Sequence, residues 1–251
     1  MEERLNKWLS RMGVCSRREA DRLIEAGKVL VDNRPASMGQ KVTPGQKVVC
    51  NGKMVRVDKS RKPRPVLLAV NKPRGIVCTT TDKDRAENIV DFLGYPERIY
   101  PVGRLDKDSE GLLLMTNQGD LVNKIMRSGN AHEKEYIVTI DKPVTEHFLE
   151  QMAGGIRLPE LDQVTRPCKV KKVERNTFSI ILTQGLNRQI RRMCEVCGCQ
   201  VRRLVRVRIM NIRLGNLRTG AYRQITKEEY EELTGLLKDS SSLSLKERKN
   251  Q

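Results

Sequence analysis

Gly103-Arg104-Leu105-Asp106-Lys107-Asp108-Ser109-Glu110-Gly111-Leu112-Leu113-Leu114 is a polar loop, bounded by glycine, that runs straight into an apolar strand. An acid on such a loop is held by a rigid strand yet open to a ligand. Three acids within five residues, Asp106, Asp108 and Glu110, also fit a solvated turn, and spacing alone favours the turn.

Around this loop, strand and helix patterns mix. Val66–Val70 reads as a buried strand, Ala86–Leu93 as a helix, and Leu121–Met126 as another. Tyr136–Ile140, Phe178–Leu182 and Val201–Leu214 alternate like strands. Asn187–Cys197 puts Ile190, Met193, Cys194 and Cys197 on one helix face, and Lys227–Leu237 is a closing helix. The irregular order, with hairpin-like pairs and no internal repeat, predicts an α+β fold rather than a doubly wound sheet.

The N-terminal stretch, 1–56, reads as a separate module. Leu5, Trp8 and Leu9 recur at helical spacing, as do Ala20, Leu23 and Ile24, with Gly13 between the two helices and Gly27 after the second. Ser16 and Glu19 form a capping-box pattern. Val29–Val31 is a strand, Asp32-Asn33 a turn, and Val48–Cys50 with Met54-Val55 a hairpin around Asn51-Gly52. Residues 57–65 hold two prolines and four basic residues, which predicts a stiff charged linker. The main domain then covers 66–237, and 238–251 reads as a disordered tail.

Charge narrows the partner. Forty-eight Lys+Arg against 31 Asp+Glu give a formal +17, which calls for a polyanion. No apolar run approaches the roughly 18 residues of a membrane span, and no signal-peptide pattern opens the chain. Nucleic acid is therefore favoured over a membrane surface, in the cytoplasm. With only 4% aromatic residues, a broad base-stacking platform is disfavoured. Arg4, Lys7 and Arg11 line one helix face and Arg18 and Arg22 another, with Arg17 beside them and acids largely absent from both stripes. From Gly185 to Arg223 there are ten arginines, no lysine and one acid, a bias that suits phosphate recognition. Arg202, Arg206 and Arg208 share strand parity and are expected to project from one face; two or three of the ten are expected to pair with acids inside the fold.

The string Gly-Arg-Leu-Asp-x-x-Ser-Glu-Gly-Leu-Leu-Leu resembles the catalytic signature of the bacterial rRNA pseudouridine synthases of the RsuA family. Residues 4–56, from Arg-Leu-x-Lys-Trp-Leu through Ser-Arg-Arg-Glu-Ala to Gly-x-Val-x-Val-Asp, look like an S4-type RNA-binding domain. Lys72-Pro73-x-Gly75 is similar to the family's first core motif, Glu133-Lys134-Glu135-Tyr136 to its tyrosine motif, and Gly185–Met193 to its third motif. Arg208-Ile209-Met210-Asn211-Ile212 is most similar to the F-type branch, which acts on large-subunit rRNA. Five motifs in the family's order cover nearly the whole chain.

The resemblance implies an S4-type domain followed by a mixed, largely antiparallel-sheet catalytic domain. It implies a monomer whose partner is ribosomal RNA, 23S rRNA or a large-subunit assembly intermediate, with tRNA as an open second substrate. It also implies isomerisation of a uridine to pseudouridine. Asp106 matches the catalytic aspartate; it would attack the sugar's anomeric carbon, add to the base, or remove a sugar proton, and each route needs an ionised carboxylate. A nearby cation favours that form: Arg191 is the candidate partner and Arg188, one turn earlier, the alternative. Tyr136 matches the active-site tyrosine, whose ring can stack on the extruded base; core packing is the usual role of a strand tyrosine without the motif. Arg104 would fill the gap left by a flipped uridine. Arg4, Lys7, Arg11, Arg17, Arg18, Arg22, Arg104, Arg188, Arg192, Arg202, Arg206 and Arg208 make up the expected RNA-binding set.

Cys194-Glu195-Val196-Cys197-Gly198-Cys199 has metal-like spacing, but zinc wants four ligands and neither His132 nor His147 has a ligand-spaced partner. These cysteines read as buried packing and free thiols. No metal and no cofactor is expected, since no phosphate or dinucleotide fingerprint is present. Two other readings keep the charge pattern. A non-catalytic RNA-binding or ribosome-assembly protein should have lost one of Asp106, Tyr136 and Arg191. An RNA methyltransferase should show a glycine-rich cofactor loop, which Gly75 and Gly94 do not form.

Overall fold

A computed structural model describes residues 2–55, 64–79 and 86–240. The chain divides into two compact units, Met1–Arg64 and Pro65–Gln251. The expected linker, except for its last two residues, and the expected tail beyond residue 240 lie outside the described residues.

In the first unit, β1 (Glu3–Arg4) leads into α1 (Leu5–Arg11) and α2 (Arg17–Glu25). Five short strands follow: β2 (Val29–Val31), β3 (Arg34–Pro35), β4 (Lys41–Val42), β5 (Val48–Cys50) and β6 (Lys53–Met54). The sheet order is β3-β2-β5-β6, all antiparallel, and β1 pairs with β4. Leu5, Leu9, Ala20, Ile24, Val29, Val31 and Val48 form one core, which the two helices cover with their apolar faces. Both hairpins turn on a pair of left-handed residues, Asp32-Asn33 and Asn51-Gly52, whose handedness matches strand twist. Half of the expected capping box forms. Ser16 Oγ accepts from the Glu19 N–H at 3.1 Å, but the Glu19 carboxylate turns to Arg22 at 2.9 Å.

The second unit is built on one large mixed sheet. Its strands are β7 (Leu67–Lys72), β8 (Tyr100–Pro101), β9 (Glu110–Thr116), β10 (Lys134–Ile140), β11 (Arg157–Leu158), β12 (Gln163–Val164), β13 (Lys169–Glu174), β14 (Thr177–Leu182), β15 (Val201–Ile209), β16 (Ile212–Arg213) and β17 (Tyr222–Gln224). Helices are α3 (Ile89–Leu93), α4 (Gly119–Met126), α5 (Glu146–Gly154), α6 (Gln189–Val196) and α7 (Lys227–Leu236). The order is β13-β14-β10-β15-β9-β7-β17, with β8 and β16 paired alongside and β11–β12 apart; only β15–β9 is parallel. The fold is therefore α+β: a small unit of two helices and short antiparallel strands, then a mixed sheet that is almost wholly antiparallel.

The apolar runs are explained by burial on both faces of the sheet. Leu67, Ala69, Leu112 and Leu114 face a core with residues of α4 and α7. Leu68, Val70, Leu113 and Met115 face the opposite core, with Ile76, Ile89 and Leu105. A third core joins β10, β14 and β15 to α5 and α6 through Val138, Phe148, Phe178, Ile190 and Leu204.

Several expected boundaries move. The helix expected from Ala86 begins at Ile89, because Asn88 caps it by accepting from the Val90 and Asp91 N–H groups. The single strand expected over Val201–Leu214 is a hairpin, turned at Met210, whose φ is +51°. The expected common face of Arg202, Arg206 and Arg208 is lost to irregularities in the pairing of β15 with β10. Arg206 stands opposite Tyr136 and Arg208 opposite Glu135, so one extra residue, Val207, sets the two arginines on opposite faces.

Candidate active site

The loop between β8 and β9 is fixed from several sides. Leu105 is buried in the core beneath it, with Ile76, Cys78 and Met115. The Ser109 N–H donates to the Asp106 carbonyl at 3.0 Å, and the Gly75 N–H donates to the Lys107 carbonyl at 2.9 Å. The two flanking glycines are required. Gly103 has φ +76° and any Cβ there would meet the Met126 side chain; Gly111 has φ +103° and a Cβ would lie 2.4 Å from the Arg206 carbonyl oxygen. Leu105 inside and the loop backbone tied down leave Asp106 half-buried at the wall of a cavity of about 460 Å³. Val77, Cys78 and Ala86 form its apolar wall; Arg104, Lys107 and Arg188 are its cations, and Asp106 is its one acid among the described residues.

Cations surround the loop, but not as the sequence suggests. The expected Asp106–arginine ion pair does not form among the described residues. Arg191, largely buried, donates through Nη2 to the Asp108 carbonyl at 3.1 Å and through Nη1 to the Val201 carbonyl at 3.3 Å. Arg188 sits 3.8 Å from the Asp108 carboxylate instead. Arg191 on α6 and Arg188, just before the helix, both turn to the outer part of the loop, at Asp108. Arg191 still feels the acid. Burial and Arg188 pull its pKa down, while Asp108 and Asp106 oppose that fall.

Lys72 and Lys134 are two further buried cations that sequence reasoning quoted in motifs but gave no role. Lys72 has no exposed surface; its Nζ donates to the Pro73 and Ile76 carbonyls, both at 2.8 Å. Burial lowers its pKa, and Cys78, Asp106 and Asp108 work against that. Lys134 donates to the His132 carbonyl at 3.0 Å; burial first and Arg206 second hold its pKa down to about 8. The available signal was a lysine at the end or start of an otherwise apolar strand, where a free charge is costly.

Tyr136 lies half-buried on β10, between Arg206 on β15 and Ile180 on β14, and packs against the core that holds Leu105. The site thus gathers Asp106, Arg104 and Arg188 on one cavity, Arg191 on the loop's backbone, and Tyr136 on the neighbouring core.

The expected RNA-binding set divides. Arg206 is 1% exposed and donates only to backbone, so the structure removes it from the surface. Arg208 is also withdrawn: its side chain is 12% exposed and bridges Glu135 at 2.8 Å and Glu133 at 3.0 Å. Arg192 pairs with Glu160 and also holds Asn187. Arg202 and Arg104 are exposed. At least five of the ten arginines in Gly185–Arg223 pair with acids, Arg188, Arg192, Arg203, Arg208 and Arg223, more than the two or three expected. In the first unit Arg4, Arg11, Arg17, Arg18 and Arg22 are exposed and Lys7 partly so. Acids are interleaved after all: Glu3 takes Arg11 at 2.8 Å and approaches Lys7 at 3.9 Å, and Glu19 takes Arg22.

Among the described residues no group of three or more His, Cys, Asp or Glu could hold a metal ion. Cys194 and Cys199 are buried, and the Cys199 thiol donates to the Cys194 carbonyl.

The RNA pseudouridylate synthase family matches residues 66–196, and the S4 domain matches residues 3–48. The chain is 52% identical over 239 residues to the dual-specificity RNA pseudouridine synthase RluF of Escherichia coli (strain K12), covering 95% of this chain and 81% of that protein. It is 36% identical over 242 residues to the ribosomal large subunit pseudouridine synthase B of Bacillus subtilis (strain 168), covering 93% and 96%. A crystal structure of a pseudouridylate synthase superposes with a TM-score of 0.67 at 27% identity, over 92% of this chain and 99% of that one.

Proposed function

Because this chain belongs to the RNA pseudouridylate synthase family and is an RNA pseudouridine synthase, we propose that it acts on a uridine of large-subunit (23S) ribosomal RNA with Asp106 as its catalytic carboxylate. The observation that carries this reading is the cavity. One carboxylate, rigidly mounted, faces a space of about 460 Å³ whose other charged walls, among the described residues, are cationic. That volume lies in the range of about 300–1,000 Å³ typical of small-ligand sites, so an everted nucleotide is a fitting occupant. Arg104, Lys107 and Arg188 supply charge for the phosphates on either side of it.

In the reaction the bond from the sugar's C1′ to N1 breaks with its electron pair left on N1, the base turns, C1′ bonds to C5, the C5 proton leaves, and N1 takes up a proton. Asp106 serves by attacking C1′, by adding to the base, or by removing a sugar proton. Tyr136 offers a ring for stacking and a hydroxyl for proton movement. Arg191 holds the loop at Asp108 and lends positive charge near the carboxylate. The first unit, with Arg17, Arg18 and Arg22 exposed, holds the RNA. Two matched relatives are named for large-subunit or dual-specificity RNA synthases, which supports an rRNA target and a second RNA, taken here to be a tRNA. We place the enzyme in the cytoplasm as a monomer; no helix of the described residues is long and apolar enough to cross a membrane.

The test is tritium release from rRNA labelled at C5 of uridine. Wild type should release label without added metal or nucleotide, and Asp106→Asn should release none while still binding RNA. Normal turnover by Asp106→Asn overturns the assignment.

A further inference from the structure

We propose that Arg206 is a positioning residue of the isomerisation, a buried guanidinium that pins both ends of the Asp106 loop and so fixes where the carboxylate stands. The inference rests on the reading of Asp106 given above. Arg206 lies on β15, 1% exposed, and no carboxylate of the described residues lies within ion-pairing distance. Its Nε donates to the Leu112 carbonyl at 2.7 Å and its Nη1 to the Arg104 carbonyl at 3.4 Å. These two carbonyls bracket residues 105–111, the segment that carries Asp106.

The main chain of the same residue makes the second attachment. The parallel pairing of β15 with β9 sets Arg206 opposite Gly111, so closely that any side chain at Gly111 would strike the Arg206 backbone. One residue therefore holds the loop at 104, 111 and 112, and Arg191 holds it at 108. Between these points Asp106 has little room to move.

A buried guanidinium without a counter-ion is a costly way to satisfy two carbonyls. The fold does not even satisfy it: Nη2 is buried with no acceptor among the described residues. What distinguishes arginine here is its fork, which spans two fixed acceptors at once, and its permanent charge. That charge reaches Lys72, Lys134 and Cys78, and Cys78 is a wall of the Asp106 cavity. A residue that served stability alone would gain from being apolar. One that serves a loop whose carboxylate must be placed to within a fraction of an ångström would not, since misplacement by about 1 Å costs about 100-fold in rate.

The experiment compares wild type, Arg206→Met, Arg206→Lys and Asp106→Asn by single-turnover tritium release at saturating rRNA and by RNA affinity. Arg206→Met is expected to lose about 100-fold in single-turnover rate, with affinity held within about twofold. Arg206→Lys keeps the charge and reaches one carbonyl, and is expected to recover about tenfold of that loss. A wild-type rate for Arg206→Met overturns the proposal. So does a loss confined to affinity, which would make Arg206 an RNA contact. Should Arg206→Met fail to fold, Arg206→Lys decides: a native spectrum with about a tenfold slower rate supports the clamp, and a wild-type rate or a failure to fold overturns it. If Asp106→Asn is active, the catalytic assignment of Asp106 falls and the clamp with it. If Asp106→Asn is inactive while Arg206→Met is active, only the clamp falls.

Discussion

Lys134→Met is expected to stabilise the second unit at neutral pH and to lose that advantage in alkali. In the fold Lys134 has a pKa of about 8 against an ordinary 10.5, chiefly because it is buried. Each unit corresponds to about 1.4 kcal/mol, so keeping this ammonium charged at pH 7 costs the fold about 3 kcal/mol. Methionine keeps the apolar stem and removes the charge, but it leaves the His132 carbonyl without its donor, a loss of about 1.5–2 kcal/mol. The net gain is about 1–2 kcal/mol at pH 7. Between pH 8 and 10.5 the unfolded chain holds this proton and the folded chain has released it. Stability of the wild type therefore rises with pH across that window, by up to about 3 kcal/mol, and the variant lacks the rise. His132 does not confuse the result, since burial lowers its pKa and it titrates below the window. Urea unfolding followed by far-UV circular dichroism at pH 7, 8.5 and 10 measures the difference, and the other lysines cancel between the two proteins. Trp8 fluorescence reports the first unit, which the substitution does not touch, and supplies an internal control. A variant less stable at pH 7 by more than about 1 kcal/mol, or a difference that does not change with pH, refutes the reasoning.

Gly111→Ala is expected to cost about 2–4 kcal/mol and most of the activity, because its φ is +103° and the Arg206 carbonyl occupies the space; Gly94→Ala, with open space around it, should cost about 1 kcal/mol in the same urea titration. Arg208→Met should destabilise by about 1–3 kcal/mol, chiefly by leaving Glu135 without its partner while Glu133 keeps Lys169 at 3.9 Å, with RNA affinity unchanged in a filter-binding assay; weaker binding at unaltered stability would return Arg208 to the RNA surface. The double substitution Arg17→Gln with Arg18→Gln should weaken RNA binding and flatten its salt dependence by about 1–2 in log–log slope, whereas Arg11→Gln, already engaged by Glu3, should change it less.

The parts legible in sequence are those where local chemistry and tertiary demand agree. Glycine at 103 and 111, an acid between them and four large apolar residues after them describe one rigid loop on one buried strand, and the protein has it. The two-helix module was equally plain in its apolar spacing, its Ser16 cap and its two left-handed turns. Of the elements that escaped notice, two show why. β13 reads Lys-Val-Lys-Lys-Val-Glu, with mostly exposed residues, because it is the edge of the sheet and lysine there blocks further pairing. α5 opens with Glu146 and His147, and only Phe148 and Met152 mark its buried face, which is too little periodicity to distinguish it from a loop. Strand parity along β15 misled for a different reason. An extra residue in a strand leaves no compositional mark, so Arg206 and Arg208 look equivalent in sequence and stand on opposite faces in space.

The arginine run from Gly185 to Arg223 shows why charge counts alone identify the partner but not the contacts. The guanidinium fork that fits a phosphate fits two carbonyls or a carboxylate equally well. Here Arg206 and Arg191 turn theirs on the backbone around Asp106, and Arg203, Arg208 and Arg223 turn theirs on Glu110, Glu135 and Glu229. Much of this arginine run thus holds the second unit together, and two of its members hold the Asp106 loop itself. On the function proposed above, the cations left to meet RNA include Arg104, Lys107 and Arg188 on the rim beside Asp106, exposed Arg202, and the exposed arginines of the first unit. On the proposed reading, a cavity whose described walls carry a cationic rim and one carboxylate draws a phosphate chain to its edge and leaves the acid free to act on what is turned inward. That division needs a loop that does not yield when RNA arrives, and an inward-facing arginine, unlike an outward-facing one, supplies it.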